Sequence, residues 1–307
     1  MAVREARRLA GPGKPLHIVG YSNGGALAVL YALDAMDDST LTMPDRVVLF
    51  SPMIGLTRFA RYAGVAGWPA VLPRFSKSAW LEIVPEFNPF KYSSFPVNAA
   101  RQSYELTQVL DQRLALLNHD NHDPSARLPP IIAFQSAVDS TVAGDALVRG
   151  LFAKLPKNGS EIVLFDVNRA APLELLLSQS TLARIEQMQP AAPQDYRITV
   201  IGNSHGEARV SESTRAPGAT TPQVRPLDLE YPRAFFSLSH VALPFPPDDS
   251  LYGTDPDAED FGIHLGNQAL RGERGTLLEG ADSLVRASCN PFFPYVSQRL
   301  TESLVAP

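Results

Sequence analysis

Ser22, Asp139 and His240 are the residues whose types and settings could together build a nucleophile. Ser22 is the centre of Gly20-Tyr21-Ser22-Asn23-Gly24, a G-x-S-x-G pattern. A serine hydroxyl is a poor nucleophile near neutral pH and needs an adjacent base, usually a histidine oriented by a carboxylate. Asp139 and His240 each follow an apolar run that reads as a strand, so both are candidates for those roles. The chemistry would be acyl transfer: Ser22 attacks an ester carbonyl, His240 takes its proton, and Asp139 fixes the imidazole tautomer. No metal or organic cofactor is needed for such a reaction.

The elements around Ser22 are the ones this chemistry requires. Leu16–Val19 is a short apolar run of strand character, and Ala26–Leu33 is apolar nearly all round and rich in helix formers. Strand, small-residue turn and helix with a serine at the apex is a nucleophile elbow. Gly20 and Gly24 are expected to be required there, because side chains would collide with the neighbouring strand and helix. The helix start would aim N–H groups and its positive dipole end at the same place. A dinucleotide or P-loop reading fails, since neither G-x-G-x-x-G nor a following Gly-Lys-Ser/Thr is present.

Other residues compete for the partner roles. His205 follows the convincing strand Tyr196–Gly202 and is the rival base; His17 lies inside the elbow strand, and His264 lies in a Gly-rich region. His240 is preferred because it follows the aromatic run Phe235–Ser239 and precedes prolines that would stiffen its loop. Asp166 is the rival acid. His119 and His122 superficially resemble a metal cluster, and Asp248, Asp249, Asp255, Asp257, Glu259 and Asp260 could suggest calcium. Both are read as solvated polar surface, the second because the Asp-x-Asp-x-Asp-Gly loop pattern is missing.

Further strands are expected at Arg46–Ser51, Pro130–Ser136 and Glu161–Val167, and helices at Val3–Leu9, Ala99–Leu117, Ala143–Leu155 and Tyr295–Leu304. Ser211–Pro226 is polar and proline-punctuated and reads as a loop. Residues 53–128 exceed any ordinary strand-to-strand connection. They hold ten aromatic residues in 76 positions, Phe59, Trp68 and Trp80 among them, against 8% aromatic overall. This span is expected to be a cap over the elbow, with 1–52 and 129–307 forming the core. A second packed subdomain without a lid role is the competing reading. The elbow strand should be central in its sheet, yet residues 1–15 are too few to supply neighbouring strands. Either an N-terminal portion precedes this sequence or the fold is a reduced version with an unusual edge; the first is expected.

Taken together, Gly20–Gly24 in its strand and helix setting, Asp139 in Asp139-Ser140-Thr141-Val142, and His240 in that chain order resemble the α/β-hydrolase superfamily, of the serine carboxylesterase/lipase kind with an inserted lid. The resemblance spans roughly Lys14 to Pro247. It implies an α/β fold with a mostly parallel sheet, helices on both faces and a helical cap insertion, the N-terminal strands missing or reduced. It also implies a serine hydrolase acting on carboxylic esters through Ser22, His240 and Asp139, with Asn23 N–H in the oxyanion hole. The family's second oxyanion donor comes from an earlier strand's loop that has no counterpart in these residues. An aromatic cap favours hydrophobic acyl esters or polyester segments. A thioesterase on the same triad and a non-catalytic binding protein on the same fold are the alternatives.

Composition sets outer bounds. The 307 residues, 45% hydrophobic and 19% charged, suit an ordinary globular chain. A net charge of −5 without a basic stripe argues against nucleic acid as the main partner. The expected partner is a small-molecule, lipid-like or polymeric ester. Cys289 is the single cysteine, so no intrachain disulfide forms. No signal peptide pattern is present and no apolar run reaches the roughly 20 residues needed to span a bilayer, so a cytoplasmic location is the default expectation.

Overall fold

The computed structural model describes residues 1–55, 79–82, 94–117, 128–139, 142, 144–170, 179–233, 235–254 and 286–305. Its centre is a seven-stranded sheet in the order β1-β2-β5-β6-β7-β8-β9. β1 (His17–Tyr21), β2 (Arg46–Phe50), β5 (Ile131–Ser136), β6 (Glu161–Phe165) and β7 (Arg197–Asn203) pair in parallel. β8 (Arg209–Arg215) and β9 (Gln223–Glu230) extend it antiparallel. Two short pairings stand apart: β3 (Trp80–Glu82) with β4 (Phe95–Pro96), and β10 (Ser237–Leu238) with β11 (Arg286–Ala287).

Successive strand residues point to opposite faces, and both faces of the central strands β2, β5 and β6 are buried. Val47, Leu49, Ile131, Ala133, Ile162 and Leu164 face one core with α2 (Asn23–Asp37) and α3 (Val97–Leu116). Val48, Phe50, Ile132, Phe134, Val163 and Phe165 face the other with α6 (Phe293–Val305). Continuous apolar runs without alternation are therefore what these strands require. α1 (Ala2–Ala10) buries none of its residues. The stretch expected as one helix opens as α4 (Gly144–Ala146), continues as a π turn over Leu147–Leu151 and closes with a 3-10 turn. α5 (Gln179–Gln187) follows β6.

α3 belongs to the 53–128 span, and it packs on α2. Leu110 and Leu114 are fully buried in the same cluster as Ala28 and Val29. Arg113 reaches the end of α2, donating to Asp34 Oδ1 at 3.0 Å, Leu33 O at 3.0 Å and Asp37 Oδ2 at 2.7 Å. A cation on the last carbonyls of a helix is favourable. Most of the remaining expected cap residues, Phe59, Tyr62, Trp68, Phe75, Phe87, Phe90 and Tyr92 among them, lie outside the described residues.

Ser211–Pro226 is not a loop. It forms most of the β8–β9 hairpin, turning at Gly218 with φ 80°. Its polarity concealed it, because little of this sheet margin is buried and no apolar alternation is needed. Backbone pairing and cross-strand contacts hold it instead: Arg225 to Glu212, and Thr199 Oγ1 to Thr214 Oγ1 at 3.2 Å. Pro226 is tolerated because β9 ends the sheet. At the other margin β1 pairs only with β2 among the described residues, although a central position is expected for an elbow strand. Val19 is 62% exposed there.

Candidate active site

Four backbone donors sit one residue past their strands, and each reaches a carbonyl of the adjacent strand. Ser22 N donates to Phe50 O at 3.0 Å, Ser51 N to Phe134 O at 2.9 Å, Ala137 N to Phe165 O at 2.9 Å, and Asp166 N to Ile201 O at 2.9 Å. The carboxyl edge of the parallel sheet is thus stitched into a platform, and this is the edge where open α/β sheets place ligands.

Ser22 stands on that platform with φ 52°, a left-handed conformation uncommon for a residue with a side chain. α2 begins at once with Asn23, whose N–H is among the first-turn donors that have no carbonyl partner inside a helix. The two glycines are not equivalent. A Cβ on Gly20 would lie 2.6 Å from Gly24 O, so Gly20 is sterically required. A Cβ on Gly24 would meet nothing within 4 Å, contrary to the expectation from the motif. The second required glycine is Gly25, whose Cβ would lie 2.7 Å from Pro52 Cβ. The tight approach is to the chain leaving β2, one residue later than the pattern suggests.

Asp139 and His240 meet. His240 Nδ1 lies 2.8 Å from Asp139 Oδ2, and both residues are buried. Val142 N donates to Asp139 Oδ1 at 3.1 Å, closing the turn that follows β5. With its Nδ1 on a carboxylate, the ring keeps Nε2 for other partners. The Tyr21 ring packs against His240 with centroids 5.3 Å apart. Burial first, then the Asp139 carboxylate and Tyr252, push the Tyr21 phenol above its ordinary range, so it stays neutral. Ser22 Oγ, on the next residue, makes no hydrogen bond to His240 among the described residues.

The rival acid is engaged elsewhere. Asp166 accepts from Arg169 Nε at 2.7 Å and from Val167 N at 2.8 Å. His205 is exposed in the turn between β7 and β8. His17 is in β1, its Nδ1 buried and without a partner. His119, His122, His264, Asp255, Asp257, Glu259 and Asp260 lie outside the described residues. Asp249 Oδ1 accepts from Leu251 N and Tyr252 N, the work of a turn former. Among the described residues no group of three or more His, Cys, Asp or Glu side chains is assembled to hold a metal ion.

Several polar residues that hold the site carry no motif. Ser136 Oγ donates to Leu238 O at 2.8 Å and so ties the chain entering His240 to the end of β5. Ser51 Oγ donates to His240 O at 3.4 Å, and Ser51 itself has φ 42°. Asn168, just past β6, donates through Nδ2 to Phe235 O at 2.9 Å. Gln135, within β5, donates through Nε2 to Asp139 Oδ2 at 3.1 Å. Their one sequence signal is polarity at the carboxyl ends of otherwise apolar strands.

No family model matches this sequence, and no curated protein matches it. Among solved structures, the chain is similar to a soluble variant of monoglyceride lipase from Saccharomyces cerevisiae in complex with a substrate analogue. Identity is 14% and the TM-score 0.36, over 53% of this chain; the match spans about half of that lipase, 55% of its chain. No helix among the described residues is long and apolar enough to cross a membrane.

Proposed function

We propose that the protein is a serine hydrolase of the α/β-hydrolase type that cleaves carboxylic ester bonds. The observation that carries this reading is the buried 2.8 Å contact between Asp139 and His240 at the sheet's carboxyl edge, where Ser22 also stands in an elbow conformation. Ser22 is the nucleophile, His240 the general base and then acid, and Asp139 the residue that holds the Nδ1–H tautomer. When an ester carbonyl enters, His240 Nε2 takes the Ser22 proton as the Oγ–carbon bond forms. The hydrogen bond between these two side chains forms with substrate in place. Asn23 N–H stabilises the oxyanion. As the tetrahedral adduct collapses, the imidazolium returns the proton to the leaving alcohol. Water repeats the cycle on the acyl-enzyme and releases the acid.

The substrate class is an ester with an apolar acyl or alcohol part, in keeping with the aromatic content of residues 53–128. That span acts as the cap, and α3 anchors it to the core through Arg113 and its buried leucines. Labelling with a fluorophosphonate probe tests the reading. Wild type is expected to be labelled at Ser22 and to hydrolyse p-nitrophenyl butyrate, with both lost in Ser22→Ala. A wild-type protein inert to probe and ester alike favours a non-catalytic binding role, and faster turnover of acyl thioesters than of oxygen esters favours a thioesterase. His240→Ala should abolish hydrolysis while His205→Ala keeps it.

A further inference from the structure

We propose that Gln135 is a positioning residue for the Asp139–His240 pair, setting the orientation of the carboxylate that holds the imidazole. This rests on the esterase reading for its kinetic consequences but not for its geometric one. Gln135 is fully buried in β5, where every residue from Ile131 to Ser136 is buried. Its Nε2 lies 3.1 Å from Asp139 Oδ2 and 3.3 Å from the Ser136 carbonyl oxygen. Both partners are acceptors, so the nitrogen and not the oxygen of the amide faces them. The other end, Oε1, is buried and has no partner among the described residues.

An unmet buried acceptor works against folding, and a methionine of similar volume would avoid it. What the amide supplies and methionine cannot is an N–H aimed at the carboxylate. Asp139 Oδ2 thereby receives two donors, His240 Nδ1 and Gln135 Nε2, while Oδ1 receives Val142 N. These three donors among the described residues approach from fixed directions and hold the carboxylate plane. Gln135 also draws charge from the oxygen that faces the imidazole. That donor fixes the direction in which Oδ2 faces His240 Nδ1. Among the described residues, titratable groups facing the pair from the elements packed on it include Tyr21, whose phenol interacts with Asp139, and Tyr252, which interacts with Tyr21.

Two variants of similar size test this, Gln135→Met and Gln135→Glu, each checked for folding by its thermal transition. The His240 Nδ1–H resonance is followed by NMR, and ester hydrolysis is followed across pH. For Gln135→Met that resonance should move, because the carboxylate oxygen facing it loses its second donor. kcat should fall about tenfold while KM stays within about twofold. In Gln135→Glu a protonated carboxyl can replace the lost donor, so activity recovers at low pH and a new descending limb appears as that proton leaves. A structural filler would give neither signature. An unmoved His240 Nδ1–H resonance and a wild-type pH profile in both variants overturn the proposal. If wild type is inert to ester and probe while Gln135→Met still moves the resonance, only the esterase reading fails.

Discussion

His240 Nδ1 and Asp139 Oδ2 lie 2.8 Å apart, although 101 residues separate them along the chain. Neither residue creates that contact by itself. Asp139 is fixed by the turn after β5, and His240 by the short β10 segment, whose Leu238 carbonyl is held by Ser136. The contact is therefore a property of the sheet's carboxyl edge. It can be weakened at the carboxylate or at the scaffold, with different consequences.

At the carboxylate, Asp139→Asn keeps the shape but removes the charge and offers Nδ1 an amide. Imidazole would be held in the wrong tautomer for proton abstraction, so hydrolysis should drop by about 10³–10⁴-fold. Asp166→Asn is the control: it weakens the pairing with Arg169, far from His240 in role, and should lower stability while sparing turnover. Steady-state kinetics with an ester and a urea melt for each variant separate the two outcomes. Equal activity losses would reopen the choice of acid.

At the scaffold, Ser136→Ala deletes the hydroxyl that donates to Leu238 O. The carbonyl is left buried without that donor, which costs about 1–3 kcal/mol. Because β10 leads into His240, kcat should fall along with stability, and the loss should exceed that of a surface serine such as Ser204. Denaturant midpoints and kcat measured on the same preparations check this; a stability loss with unchanged kcat would detach Ser136 from the site.

The parallel strands, the elbow and the helix Val97–Leu116 were legible in the sequence because each has a strong local signature: an apolar run, a glycine-bounded serine, a long helical period. Ser22, Asp139 and His240 could be nominated for the same reason, each lying just past a strand. The β8–β9 hairpin was not legible, since a polar sheet margin buries too little to leave a pattern. Gln135, Ser136, Ser51 and Asn168 were also out of reach. Their roles depend on which carbonyl or carboxylate comes within hydrogen-bond distance, and that is decided only when distant segments pack.

Gly20 and Gly24 illustrate the gap between a motif and its mechanics. Gly20→Ala should destabilise by about 2–4 kcal/mol, because its new methyl would lie 2.6 Å from a backbone oxygen that cannot move without unwinding α2. Gly24→Ala sits in the exposed first turn of α2 with open space around it, so it should stabilise by about 0.5–1 kcal/mol through helix propensity. Urea denaturation of the two single variants is the measurement, and destabilisation by Gly24→Ala would contradict the assignment of Gly25 as the second steric position.

Alkaline pH should unfold this protein by way of its tyrosines. Burial pushes the Tyr196 phenol up to about 12, and it raises Tyr21, Tyr231 and Tyr295 as well. Tyr231 adds the nearby Asp166 carboxylate to that effect, and Tyr295 adds Glu212. In the unfolded chain these phenols titrate near 10. Between that value and their native values the folded state holds more protons, so stability falls as pH rises. Their contribution is complete below about pH 10 and is lost progressively up to about pH 12 and beyond. Urea midpoints should therefore be level from about pH 8 to 9.5 and decline steeply above, in step with phenolate absorbance. Tyr231→Phe cannot ionise, so it should start from a lower stability, having lost the hydroxyl that donates to Asp166 O at 3.2 Å, but decline less steeply with pH. Parallel slopes for the variant and wild type would mean that other groups drive the alkaline transition.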